Sequence, residues 1–216
     1  MQAVESEIYQ GQFGKFTITQ SDRQSVVIYR TALMIAALCF GGGSIAVLGF
    51  GASPEILNLL TWFYAGFCLA LGVALVYIHI YMAALHRALQ AFWAVGCIAS
   101  IVVSIQYPEP LALAVYQHPI TLLGIGFTFV ALTGIFFKEA FCFNRFETKF
   151  LTVIVPLLLL GHLISQLPVQ AEQILLEVWA ALFLVFAVRK VLQAIPPDIG
   201  DKTVFDHLKA DRSSAV

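Results

Sequence analysis

Charged residues are scarce in this chain. They make up 12% of its 216 residues and hydrophobic residues make up 60%, whereas soluble domains average about 25% and about 45–50%. A globule of this size must present much of its chain to water, so a mean hydropathy of +0.86 excludes a soluble protein. Basic charge is not in excess either, with 12 Lys and Arg against 13 Asp and Glu. The sequence therefore predicts a protein of the lipid bilayer that has no nucleic-acid partner.

Cysteine is also rare, and the N-terminal segment lacks the pattern of a secretory signal. The four cysteines lie in or beside different apolar segments and form no CxxC pair, which excludes a disulfide framework and a zinc ribbon. The first 27 residues contain no basic region followed by an apolar one, so we expect the first membrane segment to be retained. No nucleophile elbow or cysteine-protease motif is present. The sequence thus predicts no catalytic residue, metal or cofactor, and it predicts that the protein is not an enzyme.

Long apolar segments are the main positive feature. A spanning helix needs about 20 mostly apolar residues, and six segments qualify: 28–50, 57–82, 88–106, 119–138, 149–167 and 173–192. The sequence predicts an all-α, polytopic membrane protein with a six-transmembrane-helix bundle. The predicted divisions are an N-terminal segment at 1–27, a membrane domain at 28–195 and a C-terminal tail at 196–216.

The basic residues predict the orientation of this bundle. Every Lys and Arg lies at or before the start of the first segment, or at or beyond the end of the last one, or at the adjoining ends of the second and third or of the fourth and fifth segments and the loops between them. The three remaining loops contain no basic residue and carry Glu55, Glu109 and Glu172. Because basic loops stay on the cytoplasmic side, we predict that both termini face the cytoplasm, or the stroma in a thylakoid (N-in/C-in).

Small residues recur every four positions in two neighbouring segments. The second segment has Gly66, Ala70 and Ala74, and the third has Gly96, Ser100 and Ser104. Such stripes let helix backbones approach closely in a membrane. They predict packing within the bundle or, alternatively, a seam between two copies of the chain.

Phenylalanine alternates with charge over residues 137–150, after the fourth segment. Aromatic rings and basic groups at headgroup depth are typical of an interfacial anchor. A second interpretation is an inner-face cluster of Glu139 and Cys142, which are three residues apart, with His79 and His86 from the second segment. Although these residue types can bind transition metals, their spacing matches no metal motif, so the sequence predicts no metal site.

Two ionisable residues fall within the last two apolar segments, where such groups are costly and often functional. With the turn between these segments centred near 169–170, His162 and Glu177 have similar depth, and Gln166 lies one helical turn from His162. We predict an intramembrane polar pair of His162 and Glu177, assisted by Gln166. It is interpreted as a structural hydrogen bond or, alternatively, as a proton or ion site; a third reading places Glu177 at the outer interface.

Six short motifs are spread along the chain. They are YQGQFG at 9–14, Asp22-Arg23, Tyr29-Arg30, GIFFKEAFCF at 134–143, Glu147 and Gly161-His162. The combination resembles a cyanobacterial and plastid family of integral membrane proteins that is registered as a domain of unknown function. The resemblance implies a multi-pass protein of the plasma or thylakoid membrane in an oxygenic phototroph. It carries over no catalytic residue.

These features favour an accessory role, in which the protein assembles, stabilises or regulates a larger membrane complex, photosynthetic if the resemblance applies. A homo-oligomer is the other assembly that the sequence allows. The alternative function is a small-molecule or ion transporter that uses His162 and Glu177. Pigments or quinones could lie among the many aromatic side chains, but aromatic residues are equally typical of a core or a lipid-facing surface.

Overall fold

The computed structural model describes residues 7–214, and describes the side chains of residues 7–208. The strands are β1 (Ile8–Gly11) and β2 (Gly14–Thr17). The helices are α1 (Gln20–Phe50), α2 (Pro54–Tyr77), α3 (Ala83–Gln106), α4 (Leu111–Gln117), α5 (Leu122–Phe143, preceded by a 3-10 turn at Pro119–Thr121), α6 (Phe146–Leu163), α7 (Val169–Leu192), α8 (Pro196–Ile199) and α9 (Lys202–Ser214).

Five of these helices are long and apolar enough to cross a membrane: α1, α2, α3, α5 with its 3-10 turn, and α6. The helix α7 also has 24 residues, but it is not among the five. Four charged residues, Glu172, Glu177, Arg189 and Lys190, lie within it. The all-helical membrane bundle predicted from the sequence is therefore confirmed, with five helices that meet the apolar criterion.

Local sequence signals explain where the helices begin. Thr19 caps α1 and forms a capping box with Asp22, in which each side chain bonds the other residue's backbone N–H. The Ser53 side chain caps α2 by accepting a hydrogen bond from the Ile56 N–H, and Pro54 occupies the first position of the helix. These signals fix the turn between α1 and α2, as the sequence predicts.

Two boundaries differ from those predicted. The second segment was expected to continue to residue 82, whereas α2 ends at Tyr77. Residues 78–82 continue the apolar run although they lie outside any helix, and Ile78 and Ile80 among them are buried in the core. Hydropathy alone therefore does not mark the end of α2. The short helix α4 lies where the sequence predicts only a loop between the third and fourth segments.

The helices pack around a core rich in aromatic rings. The α1 helix packs against both α2 and α7, while α5 packs against α3 and α6. The rings of Phe40 and Trp179 lie 4.3 Å apart between centroids, and those of Phe67 and Phe129 lie 5.7 Å apart. Trp179 is 2% exposed, so α7 lies against this core despite its charged ends.

The small-residue stripes pack within the bundle. A Cβ placed on Gly96 would lie 2.3 Å from the backbone nitrogen of Thr128 on α5, so glycine sets the approach of α3 to α5. Ser100 on the same stripe lies 2.7 Å, between hydroxyl oxygens, from Tyr64 of α2. The α3 stripe is therefore used for packing within the chain.

The β1–β2 hairpin, which begins the described part of the chain, and α9, which ends it, lie at one end of the bundle, which we call the terminal end. There the β1–β2 hairpin contacts α9: the Gln12 N–H donates to Asp201 Oδ2 at 2.6 Å, and Lys202 lies 2.8 Å from Asp22. The opposite end, which we call the far end, carries the α1–α2 turn, α4 and the α6–α7 turn. The described residues 196–214 of the predicted C-terminal tail form α8 and α9, and α9 contacts the hairpin.

Candidate functional site

Charged side chains gather in the interior of the terminal end. We define the ionic cluster as five cations and three carboxylates: Arg30, Lys138, Arg145, Arg189, Lys190, Glu139, Glu147 and Asp198. All of these side chains except Arg189 are at most 10% exposed. Because buried charges are stable only when paired and hydrogen-bonded, the contacts of each member determine what the cluster does.

Lys190 is the centre of the ionic cluster. Its side chain is completely buried, and its Nζ lies 2.6 Å from Glu139 Oε2 and 2.5 Å from Asp198 Oδ1. The Phe143 ring lies 4.2 Å from the same Nζ, measured to the ring centroid. One ammonium group thus joins α5, α7 and α8, and the ring contact adds a cation–π interaction.

Arg30 extends the ionic cluster to α1. Its guanidinium donates to Asp198 Oδ2, with an Nη2–Oδ2 distance of 2.6 Å. It also donates to the backbone carbonyls of Gln193 and Ala194, at 2.5 and 2.8 Å. These carbonyls follow the end of α7, where they have no partner within the helix. Arg30 therefore fixes the chain between α7 and α8.

The remaining carboxylate, Glu147, joins the start of α6 to the end of α7. Arg189 Nη1 lies 2.6 Å from Glu147 Oε2, and Arg145 Nη1 lies 3.4 Å from Glu147 Oε1. Arg145 also donates to the side-chain carbonyl of Gln193. The α1, α5, α6, α7 and α8 helices are consequently held together at the terminal end by charge-assisted hydrogen bonds.

Helical periodicity places these charges inside the protein. On α7, Trp179, Phe183, Phe186 and Lys190 lie on one buried stripe with spacings of four, three and four. Glu139 continues a similar buried stripe on α5, after Leu132 and Ile135. The charge pattern alone places Lys190 only among the basic residues that predict the orientation. The stripe that it completes is the signal that identifies it as a buried group.

The structure does not join the predicted inner-face residues into one polar cluster. Glu139 is completely buried against Lys190, whereas Cys142 is exposed, so the structure places these two side chains on different sides of α5. Three residues advance a helix by about 300°, which here separates the buried side of α5 from the open side. His86 Nε2 lies 2.5 Å from the backbone oxygen of Leu75, and His79 lies beside Phe205.

A cavity of about 660 Å³ lies next to the ionic cluster at the terminal end. His79, Lys138, Cys142 and Asp198 are among its lining residues, together with Phe205 of α9. Burial lowers the pKa of His79, and the Lys138 cation lowers it further. His79 and Cys142 thus both line this cavity, whereas Glu139 does not.

A second cavity lies at the far end, and we call it the far-end cavity. It has a volume of about 530 Å³. Most of its lining is apolar, and its ionisable side chains other than Tyr116 are His162 and Glu172. His162 Nδ1 lies 2.7 Å from Glu172 Oε1, with the two side chains 17% and 14% exposed. A polar pair is therefore held inside an otherwise apolar space.

The His162 ring is fixed on two sides. Its Nδ1 faces Glu172, and its ring stacks on Tyr116 of α4 with 5.0 Å between centroids. Its second nitrogen, Nε2, is buried and has no hydrogen-bond partner among the described residues. Buried polar atoms without a partner are rare and call for an explanation.

The partner of His162 is not the predicted one. Glu172 takes the place expected for Glu177, which is exposed on α7, and Gln166 is exposed in the turn. The reason is the position of the turn. The α6 helix ends at Leu163, and the Gln166 N–H closes its end by donating to the Gly161 carbonyl at 3.0 Å. The turn is therefore centred several residues earlier than 169–170, and Glu172 comes level with His162.

The described residues contain no group of three or more His, Cys, Asp or Glu side chains that could hold a metal ion.

The ionic cluster and the far-end cavity differ in chemistry. The ionic cluster consists of charges that satisfy one another, whereas the far-end cavity offers apolar volume beside one unsatisfied nitrogen. The far-end cavity is the better candidate for a ligand site.

The fold is that of a helical integral membrane protein, with apolar surface on its long helices and its dense ionic contacts at one end. Residues 73–207 match the family described as "Uncharacterized integral membrane protein (DUF2301)". Since the match covers more than half of the chain, the protein belongs to this family. The match includes His162, Glu172, Lys190 and Asp198 but not Arg30. The chain matches no curated protein and no solved structure.

Proposed function

We propose that this protein is an accessory protein that assembles, stabilises or regulates a larger membrane complex. The ionic cluster is the observation that carries the proposal. It ties five helices together at the terminal end through buried pairs, and the breaking of such pairs is strongly unfavourable. A bundle held in this way is suited to present fixed surfaces to other membrane proteins.

The core supports the same function. Between the far-end cavity and the ionic cluster, packed aromatic rings fill the space between the helices. These rings include Phe40, Trp179, Phe136 and Phe183. A transporter must open alternately to both sides of the membrane. Here such opening would require the aromatic core and the paired charges to separate together.

The proposal includes six membrane crossings, with both termini on the cytoplasmic or stromal side. The basic loops favour this orientation, and α7 packs beside α1 and α6. We assign the plasma or thylakoid membrane from the resemblance of the short motifs.

Cysteine labelling tests the six crossings. In a cysteine-free variant, single cysteines at Ala52 and Gln170 should react with an impermeant reagent from the side opposite to Lys15→Cys. Labelling of Gln170→Cys and Lys15→Cys from the same side would contradict six crossings.

Native co-purification tests the accessory role. The tagged full-length protein is extracted in mild detergent, separated on a native gel and analysed by mass spectrometry. We expect a stable assembly that contains other membrane proteins in constant ratio. A monomer or homo-oligomer without partners would contradict the proposal.

A transporter is the second candidate function, because the His162–Glu172 pair lines a cavity at one end of the bundle. Proteoliposomes that contain a pH-sensitive dye distinguish the two functions. The accessory role predicts no proton or solute flux above that of empty liposomes. Flux that is lost in Glu172→Gln but kept in Glu177→Gln would establish transport at this site.

A further inference from the structure

We infer that the far-end cavity binds an uncharged lipophilic molecule that bears a terminal hydroxyl group. The apolar body lies in the cavity, and the hydroxyl forms a hydrogen bond with Nε2 of His162. This inference concerns ligand binding and is independent of the accessory role proposed above.

The available volume fits such a ligand. The far-end cavity of about 530 Å³ shares Val47, Leu60, Ala112 and Leu176 with a second apolar cavity of about 200 Å³. The two cavities therefore lie side by side, and the smaller one is also lined by Phe40, Phe67 and Phe129 of the aromatic core. Small-molecule sites in proteins usually have volumes of about 300–1,000 Å³ and mostly apolar walls.

His162 provides the polar end of the site. Glu172 and the Tyr116 ring hold the imidazole in one orientation, so binding need not order this side chain. Nε2 has no partner among the described residues, and almost none of its surface is open to water, so the ligand must displace the side chains packed over this atom to reach it. An unsatisfied buried nitrogen costs about 1–3 kcal/mol, and a ligand that bonds to it removes this cost.

The chemistry of the pair selects a hydroxyl. With Nδ1 donating to the Glu172 carboxylate, Nε2 accepts a hydrogen bond when the ring is neutral and donates one when it is protonated. A hydroxyl can match either state, because it both donates and accepts. An anionic ligand would meet the Glu172 carboxylate, and a cationic ligand would compete with His162 for it. An uncharged ligand avoids both conflicts.

A similar group of residues at the far end provides a matched control. His118 lies 3.5 Å from Glu109, and its ring is tilted against that of Tyr107 with 4.5 Å between centroids. Its side chain is 42% exposed, and it does not line either of the two cavities described above. The His118→Leu variant therefore removes a histidine of the same type outside the proposed site.

The test measures binding of three radiolabelled probes of equal length to the full-length protein in one detergent: 1-tetradecanol, tetradecane and tetradecanoic acid. Each probe is measured with the wild type, His162→Leu, His118→Leu and Ala112→Phe. Because Ala112 lines both cavities, Ala112→Phe fills the space while it keeps the His162–Glu172 pair. Comparing variants for each probe cancels the partition of that probe into micelles.

We expect His162→Leu to weaken tetradecanol binding by roughly 3- to 30-fold, the effect of one lost buried hydrogen bond. Tetradecane binding should change little in this variant. Ala112→Phe should abolish binding of both probes, and His118→Leu should match the wild type. Equal loss of alcohol and alkane in His162→Leu, tighter binding of the acid than of the alcohol, or unchanged binding in Ala112→Phe would overturn the inference.

Mass spectrometry of the molecules released from the wild type but not from Ala112→Phe identifies the natural source. A long-chain or polycyclic alcohol and an acylglycerol both carry the inferred hydroxyl, and either supports the inference. Recovery of phospholipid alone, as expected for an ordinary acyl chain in an apolar crevice, contradicts it.

Discussion

The two ends of the bundle treat buried polar groups in opposite ways. At the terminal end, Lys190 reaches two carboxylates and Arg30 reaches one carboxylate and two carbonyls. At the far end, the His162 ring has one hydrogen-bond partner, and its second nitrogen is buried with no partner in the part of the chain that the structure describes. Full pairing is what a structural element requires, whereas incomplete pairing beside apolar volume is what a binding site requires. The comparison assigns stability to one end and ligand binding to the other.

The largest effect is expected from Lys190→Met. This change leaves Glu139 and Asp198 buried with fewer partners, and removal of one member of a buried ionic group typically costs about 3–5 kcal/mol. The free energy of unfolding, measured by titration with a denaturing detergent, checks the value. Arg189→Met is the matched control on the adjacent residue, where 55% side-chain exposure limits the expected loss to about 1 kcal/mol. Equal losses in the two variants would contradict the larger contribution that we assign to the buried pairs of Lys190.

The sequence predicts the long helices well because membrane helices depend mainly on hydropathy and on turn residues. Ser53 and Pro54, for example, mark the start of α2. The break after Tyr77 is not predictable in this way, since Ile78 and Ile80 continue the apolar pattern while they pack outside a helix.

The partners of buried polar groups are harder to predict from sequence. Glu139 and Lys190 are 51 residues apart, and only the packing of α5 against its neighbours brings them together. The His162 partner depends on where the α6–α7 turn is centred, and a shift of a few residues exchanges Glu177 for Glu172. Helical stripes identify which polar residues are buried, but tertiary structure decides what they contact.

The next largest effect is expected where α3 packs against α5, in the part of the bundle between the two ends. In Gly96→Ala, the added methyl group would meet the backbone of Thr128, which cannot rotate away, so α3 must move from α5. Overpacking of this kind costs about 1–3 kcal/mol, to be measured by the same unfolding titration. Gly49→Ala in α1 is the control because nothing lies within 4 Å of its added Cβ. Loss of stability in Gly49→Ala as large as in Gly96→Ala would contradict this account.

A smaller effect is expected for the polar pair in the far-end cavity. A double-mutant cycle between His162→Leu and Glu172→Leu should give a coupling free energy of about 0.5–2 kcal/mol, the usual range for hydrogen bonds within membranes. The cycle between His162→Leu and Glu177→Leu should be additive, because Glu177 is exposed and His162 bonds to Glu172. Coupling to Glu177 in place of Glu172 would mean that the α6–α7 turn is centred later in the chain.

The smallest effect is expected where the β1–β2 hairpin contacts the start of α9, outside the helical core. The Gln12 N–H and the Thr203 hydroxyl, both of which donate to Asp201, lower the pKa of that carboxyl below its ordinary value. A lowered pKa in the folded state means that the contact stabilises the hairpin above the ordinary Asp pKa. This stabilisation is lost as the pH falls through the lowered value. At neutral pH, the β1–β2 hairpin should therefore be fully held against α9.

Hydrogen exchange at the Gln12 amide measures this contact when each rate is divided by the intrinsic rate at the same pH. The wild type should lose protection as the pH falls through the lowered pKa of Asp201. In Asp201→Asn, a neutral amide with one acceptor oxygen replaces the carboxylate, so protection should be low and independent of pH. The unfolding free energy of the membrane helices should be almost unchanged, because Asp201 lies outside the core. Equal, pH-dependent protection in the wild type and in Asp201→Asn would show that another group holds the hairpin at the terminal end.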